Sequence, residues 1–358
     1  MRVHHLDEGR ARSGRGHVRI VRAASNICGI PALPAAEQRR LGHQATAALY
    51  PNIEGAAPGT VDLAWLLEGN RVTRHTRRAR TIAWAAQGFD VFHFHFHATF
   101  APDHTDVALL AALGKRIIFH LHGCDIRDPR RARSEHALSA CKECPYPCMV
   151  PVKLRLPATL KRYADATLVS TPDLLEFVDR AEYLHNPVDP VAWESMRQPT
   201  VHARHRGDEW VVVHAPSNRE INGARHVIAP VDRLRDSGFP VQLRIFEGLP
   251  QGELRRACAE ADAIVYQVFM GWVGMFALEM MATGKPVIAC IREDHRHLLQ
   301  KMPVVEADPW SLAETLRQLL LSSERRAARS ANGPLYVREK HDPAAVCWHL
   351  FALYGAGL

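Results

Sequence analysis

The chain has 358 residues, 47% of them hydrophobic and 23% charged, proportions that exclude a disordered chain, a collagen and a coiled-coil rod. The length suits two domains at roughly 150 residues each. No apolar run reaches the roughly 18 residues that span a bilayer, and no apolar leader opens the chain, so the expectation is a soluble, cytoplasmic protein. Eight cysteines are too few for a disulfide scaffold of this size. The formal net charge is +7 and it is uneven: residues 1–185 hold 25 basic and 18 acidic side chains, whereas residues 186–358 hold 20 of each.

In chain order, residues 1–16 are Arg- and Gly-rich without apolar periodicity and read as a basic flexible extension. Residues 17–24 predict a strand, SNICG a loop, 30–41 a helix that Gly42 stops, and 44–50 a second strand. Further strands are predicted at 91–97, 115–121 and 166–170, with helices near 74–87, 106–113 and 152–163. After Asn186-Pro187-Val188-Asp189 the alternation restarts. Strands fall at 209–214, 241–246, 263–268, 286–290 and 304–306, and helices at 222–236, 254–261, 275–283 and 309–321. The last of these has Asp308 at its N-cap and Pro309 at the first helical position. A separate amphipathic helix is predicted at 341–354. Strands alternating with helices make βαβ units, so the fold class is α/β. Two Rossmann-like, doubly wound parallel-sheet domains face a central cleft, with ligands at the carboxyl ends of the strands. The expected divisions are 17–187, with a Cys-rich insertion at 124–148, then 188–340, then a C-terminal helix at 341–358 packing back toward the first domain.

The stretch GWVGMFALEMMATGKPV, residues 271–287, carries the most chemistry. A Gly-bearing loop runs into a helix whose first turn presents unpaired N–H groups, a ready site for a diphosphate. Glu279 lies a turn and a half further on, within reach of a ribose diol; the plain alternative is a helix-surface glutamate. In HAPSNREING, residues 214–223, Arg219 would point into the same crevice and neutralise a leaving diphosphate, or else be a solvated loop arginine.

Together with NPVD at the domain joint and EADAIVYQ before the active loop, these pieces resemble the donor domain of GT-B glycosyltransferases, specifically the retaining family 4. The resemblance implies that Glu279 holds the nucleotide ribose and that backbone amides at Val273, Gly274 and Met275 hold the phosphates with Arg219. The first half resembles that family more loosely. SNICG implies Asn26 and Gly29 near the diphosphate and acceptor, and HLHGCDIR implies that His122 contacts the transferred sugar, with Asp125 or His97 orienting the acceptor hydroxyl. Two positions depart from the family pattern: Gly271 stands where a Glu usually contacts sugar hydroxyls, and Asn222 replaces a phosphate-binding Lys, whose charge Arg225 would supply. The implied activity is transfer of a sugar from a nucleotide-diphospho-sugar to an acceptor hydroxyl with retention. UDP and a hexose or N-acetylhexosamine are the family's commonest donor parts, and no catalytic metal is implied. A saccharide, a lipid-linked sugar or a small natural product fits as acceptor. A nucleotide-sugar epimerase or hydrolase on the same fold, and a non-catalytic sugar-nucleotide or polyanion-binding protein, stand as alternatives.

Cys141-x2-Cys144-x3-Cys148, with Cys124 upstream, has the spacing of a structural zinc knuckle; a disulfide or plain thiols are the other readings. Cys28, Cys258, Cys290 and Cys347 sit in apolar patterns and read as core thiols. In the run 93–97 a strand would place His93, His95 and His97 on one face and both Phe on the other, with His120 and His122 nearby. Such an array suits a metal, or else His95 or His97 faces the acceptor pocket. The positive excess concentrates in residues 1–22, with six Arg against Asp7 and Glu8, and in residues 71–80, with five Arg and no acid. This is a solvated face, or one meeting an anionic acceptor or the inner membrane surface. Few aromatics interleave with the arginines, so nucleic acid is not expected.

Overall fold

The computed structural model describes residues 17–50, 59–194 and 209–355; the expected extension at 1–16 lies outside them. The two parallel sheets predicted from the sequence are present. The first joins β1 (Arg19–Ser25), β2 (Gln44–Tyr50), β3 (Thr60–Asp62), β4 (Val91–His95), β5 (Arg116–Leu121), β6 (Ala166–Val169) and β7 (Ala181–Tyr183). Their spatial order is β3-β2-β1-β4-β5-β6-β7. The second joins β8 (Trp210–His214), β9 (Val241–Ile245), β10 (Ala263–Val265), β11 (Val287–Ala289) and β12 (Val305–Glu306) in the order β12-β11-β10-β8-β9. The central strands are apolar runs such as Ala-Ile-Val and Val-Ile-Ala, buried throughout, as a sheet covered by helices on both faces requires.

In the first half the helices are α1 (Ala32–Arg40), α2 (Arg71–Gly88), α3 (Thr105–Ala112), α4 (Pro129–Glu135), α5 (Ala140–Glu143) and α6 (Pro151–Tyr163). Then come α7 (Pro190–Glu194), α8 (Arg225–Asp236), α9 (Gln251–Cys258), α10 (Met275–Ala282), α11 (Leu312–Leu321), α12 (Ser323–Lys340) and α13 (Pro343–Tyr354). Local chemistry sets several ends. Asn70 caps α2 by accepting from the Thr73 amide at 2.9 Å, and Asp128 with Pro129 opens α4. α11 begins later than predicted, because Asp308 braces a preceding turn by accepting from the amides of Trp310 and Ser311. The strand expected to reach residue 97 ends at His95, since Phe96 turns the chain with φ of 63°.

α13 is apolar, and one of its faces joins the first sheet. Val346, Cys347, Leu350, Phe351 and Tyr354 share a core with Ile20, Ala35, Ala45 and Val91. The chain therefore passes between the sheets twice, and the passes are bonded together: the Val188 amide donates to His341 O at 2.8 Å, and His341 Nδ1 to Asn186 O at 2.7 Å. α12 packs on α10 through Tyr336 and Val337 against Met280 and Met281.

Each sheet has one place where its strand order reverses: between β1 and β4 in the first, and between β8 and β10 in the second. Loops leaving the carboxyl ends of strands at such a switch point diverge and open a crevice.

Candidate active site

The loops after β8 and β10 form one packed unit. In the first, Asn222 is buried and its Oδ1 accepts from Ser217 Oγ and from the Asn218 amide, both at 2.9 Å. Through that oxygen it braces the loop. Arg225 is engaged across the cleft, where its guanidinium donates to Glu143 Oε1 at 2.6 Å. Arg219 is half exposed; its amide donates to Glu247 Oε1 at 3.0 Å, and its Nε lies 3.2 Å from Glu247 Oε2. Gly223 seats this loop on its neighbour, since a Cβ there would overlap the Phe269 ring.

In the second loop Gly274 lies over Tyr266, whose hydroxyl a Cβ would overlap, and it is the N-cap residue of α10. Burial pushes the Tyr266 phenol far above its usual range; charge at Cys28 and Glu279 adds to this and the Gly274 backbone opposes it. Cys28 belongs to the loop after β1, which leaves the switch point of the first sheet. Val273 is buried, and Gly274 and Met275 are half-buried at the start of α10. Glu279 is not the surface side chain of the plain alternative: it is buried in α10, 8% exposed.

The glycine at 271 has a structural reason. Its φ is +83°, and a Cβ would lie 2.5 Å from Arg292 Cγ. Arg292 reaches over to the first domain, donating to Glu176 Oε1 at 2.9 Å, and it also pairs with Asp294. A pocket of ≈ 300 Å³ opens beside this bridge, between His136, Asp173 and Glu176 on one side and Met270 and Arg292 on the other.

On the first domain Asn26 Oδ1 accepts from the Gly29 amide at 3.2 Å. Gly29, with φ of +72°, has nothing within 4 Å where a Cβ would stand, so its backbone faces open space. His122 directly follows β5 with both ring nitrogens engaged: Nε2 lies 3.1 Å from His95 Nδ1, and Nδ1 contacts Ser170 Oγ. It is thus positioned by its neighbours, and neither nitrogen is left over for the sugar contact the resemblance implies. Asp125 is a second correction. It is fully buried, and its oxygens accept from the amides of His122 at 2.8 Å and Gly123 at 2.7 Å, so it braces the turn and does not reach the cleft. Burial lifts its carboxyl to about 6.

The histidine array is smaller than expected. His93 and His95 stack on one face of β4 with ring centroids 4.6 Å apart, while Phe92 and Phe94 enter the core on the other. His97 lies beyond the turn and its carbonyl bonds His104 Nε2 at 2.9 Å. His93 Nε2, His95 Nε2 and His120 Nδ1 lack partners and belong to three buried rings whose nitrogens lie within 4.8 Å of one another. Arg22 argues against a metal there. Its guanidinium only donates, to Tyr354 Oη at 2.8 Å and to His93 Nδ1 at 3.2 Å. His93 Nδ1 is therefore the acceptor, the proton sits on Nε2, and that nitrogen offers no lone pair. Burial drives His93, His95 and His120 well below the usual imidazole range and His122 down to about 3, so all four are neutral near pH 7.

Cys124, Cys141, Cys144 and Cys148 line one pocket of ≈ 360 Å³ together with Arg127, Arg133, Lys153 and Ile221. Among the described residues no three of these sulfurs lie within 4.8 Å of one another. Cys28 is exposed in the cleft loop and is not a core thiol, unlike Cys258 and Cys347. Of the functional neighbours, Tyr266 was visible in the sequence as a polar tip on the strand EADAIVYQ. Glu247, Ser170 and Glu143 carried no such mark, because two strand ends and a short helix remote in sequence bring them in.

No family model and no curated protein matches this sequence. Solved structures do match its fold. The catalytic domain of starch synthase IV from Arabidopsis thaliana, bound to ADP and acarbose, superposes with a TM-score of 0.63 at 12% identity, covering 95% of this chain and 99% of that one. Sucrose-phosphate synthase from Thermosynechococcus elongatus gives 0.61 at 15% identity over 94% and 98% of the two chains. The UDP-forming α,α-trehalose-phosphate synthase from Burkholderia xenovorans, in complex with glucose-6-phosphate, gives 0.61 at 13% identity over 94% and 100%. The fold is the GT-B arrangement of two Rossmann-like domains.

Proposed function

We propose that this protein is a glycosyltransferase of the family 4 type that moves a sugar from a nucleotide-diphospho-sugar to an acceptor hydroxyl with retention of configuration. The observation that carries the reading is the loop–helix unit at the switch point of the second sheet, where Gly274 N-caps α10 over Tyr266 and Glu279 lies buried further along the same helix. Two of the synthases that share the fold are described as bound to ADP and as UDP-forming, so nucleoside diphosphates are the first ligands to test.

The donor would lie on the second domain, its diphosphate against the amides at Val273, Gly274 and Met275 and the Arg219 guanidinium, its ribose at Glu279. In retaining chemistry of this kind the departing diphosphate takes the incoming hydroxyl's proton. Holding its charge with fixed amides and a cation is then the main catalytic contribution. Asn26 and Gly29 face that position from the first domain, and domain closure excludes the water that would hydrolyse the donor. His122, braced by Asp125, His95 and Ser170, acts as a positioning residue at the cleft floor.

A thermal-melt series with UDP, ADP, GDP and their sugar conjugates tests the donor site. A ligand at 100 times its Kd stabilises by about 2.7 kcal/mol, and Glu279→Ala and Arg219→Ala should abolish most of that shift. No shift with any nucleotide and no donor turnover would sink the reading. Retention is read from the anomeric proton of the product.

A further inference from the structure

We infer that the segment 124–148 binds a zinc ion through the thiolates of Cys124, Cys141, Cys144 and Cys148. The spacing of the last three suits a knuckle, but a fourth ligand 17 residues upstream has no claim from sequence alone. Folding supplies that claim: the loop after β5 brings Cys124 to the same pocket as the other three, and all four are free thiols.

Zinc takes four thiolates tetrahedrally at about 2.3 Å. Such a centre carries two net negative charges, and the charged side chains around this pocket are Arg127, Arg133 and Lys153, with no carboxylate among the lining residues. On binding, each of the four S–H groups gives its proton to solvent and its sulfur lone pair to the metal, with no change of oxidation state. The sulfurs must draw together. The chain that carries three of them has only the single turn of α5 between His136 and Val150, so it can contract without breaking a long helix.

The location gives the ion a task. Glu143, between Cys141 and Cys144, bonds Arg225 and lies 3.3 Å from His226 of the second domain. Tyr146 Oη accepts from Asn218 Nδ2 at 3.4 Å, and Ile221 forms part of the pocket wall. The zinc thus fastens the turn holding His122 to a strap that rests on the loop of Arg219. The metal site stands independently of the transferase reading, because none of its ligands belongs to the donor site.

The test uses the full chain, purified under reducing conditions, equilibrated with zinc sulfate and then passed through a moderate chelator. About one zinc per chain should remain. Cys124→Ser and Cys148→Ser should each strip most of it, and Cys290→Ser should leave it unchanged. Cobalt-loaded wild-type protein should show the intense visible bands and sulfur charge transfer of a tetrahedral thiolate site, a readout that survives misfolding of any variant. Failure of the wild type to retain zinc, or a weak octahedral cobalt spectrum, overturns the proposal. The nucleotide-dependent melt is read separately, so loss of one result leaves the other standing.

Discussion

Asp125 shows how a residue of the expected type serves a different end. Read as an aspartate beside the acceptor, it is instead buried under the turn of His122 and Gly123, holding two amides. Its folded pKa of about 6 lies above the unfolded value near 3.9. Its contribution to stability is therefore full below about pH 4 and is lost as pH rises through about 6. Asp125→Asn should remove that loss, so the variant gains on the wild type between pH 4.5 and 7.5 in urea titrations, by up to about 2 kcal/mol. An unchanged difference across the range would mean the carboxyl is not shifted. Asn222 and Arg225 teach the same lesson: residue type was legible, but what a polar atom faces depends on loops that fold over it.

Among the elements, α13 and α2 carry the clearest consequences. α13 closes the first sheet, and Tyr354 is its anchor, accepting from Arg22 and donating to His93 Nδ1 at 2.7 Å. Tyr354→Phe leaves a buried guanidinium short of an acceptor and should destabilise by about 1–3 kcal/mol in chemical denaturation. α2 presents Arg71 and Arg80 outward beside exposed Val72 and Trp84, and Arg77 lies over Trp65 at 5.8 Å. No helix among the described residues is long and apolar enough to cross a membrane. If these arginines meet an anionic surface, the protein should sediment with phosphatidylglycerol vesicles and not with neutral ones, less so in 0.5 M salt. Arg71→Glu with Arg80→Glu should reduce the bound fraction several-fold. Equal recovery from both vesicle types would assign the arginines to a solvated face. Long periodic elements such as α2 were readable from the sequence. α12 was not, because Gly333-Pro334 reads as a break in a helix that runs on through it.

At the scale of the molecule, four neutral histidines and the buried Arg22 make the first domain sensitive to acid. Each imidazole has a folded pKa below its unfolded value near 6.5, so each stabilises above that value and loses its contribution as pH falls. The slope is about 1.4 kcal/mol per pH unit per histidine. Unfolding free energy should fall steeply below pH 6.5, and His120→Asn should flatten the curve by nearly one proton. A curve without slope between pH 6.5 and 4.5 would show that these rings are charged or solvated in the folded state.

The sequence by itself determined the α/β class, the two parallel sheets and the loop–helix pieces that bear Arg219, Gly274 and Glu279. Those features are local: apolar runs set strands, caps set helix starts, and glycine marks a helix onset. Tertiary structure decided what those pieces face. It buried Glu279, set Arg292 against Gly271, turned Asp125 and Asn222 inward, and brought Cys124 to three distant cysteines. The physical reason is that the partner of a polar side chain is fixed by which strand ends lie together, and strand order is a long-range property of the whole chain.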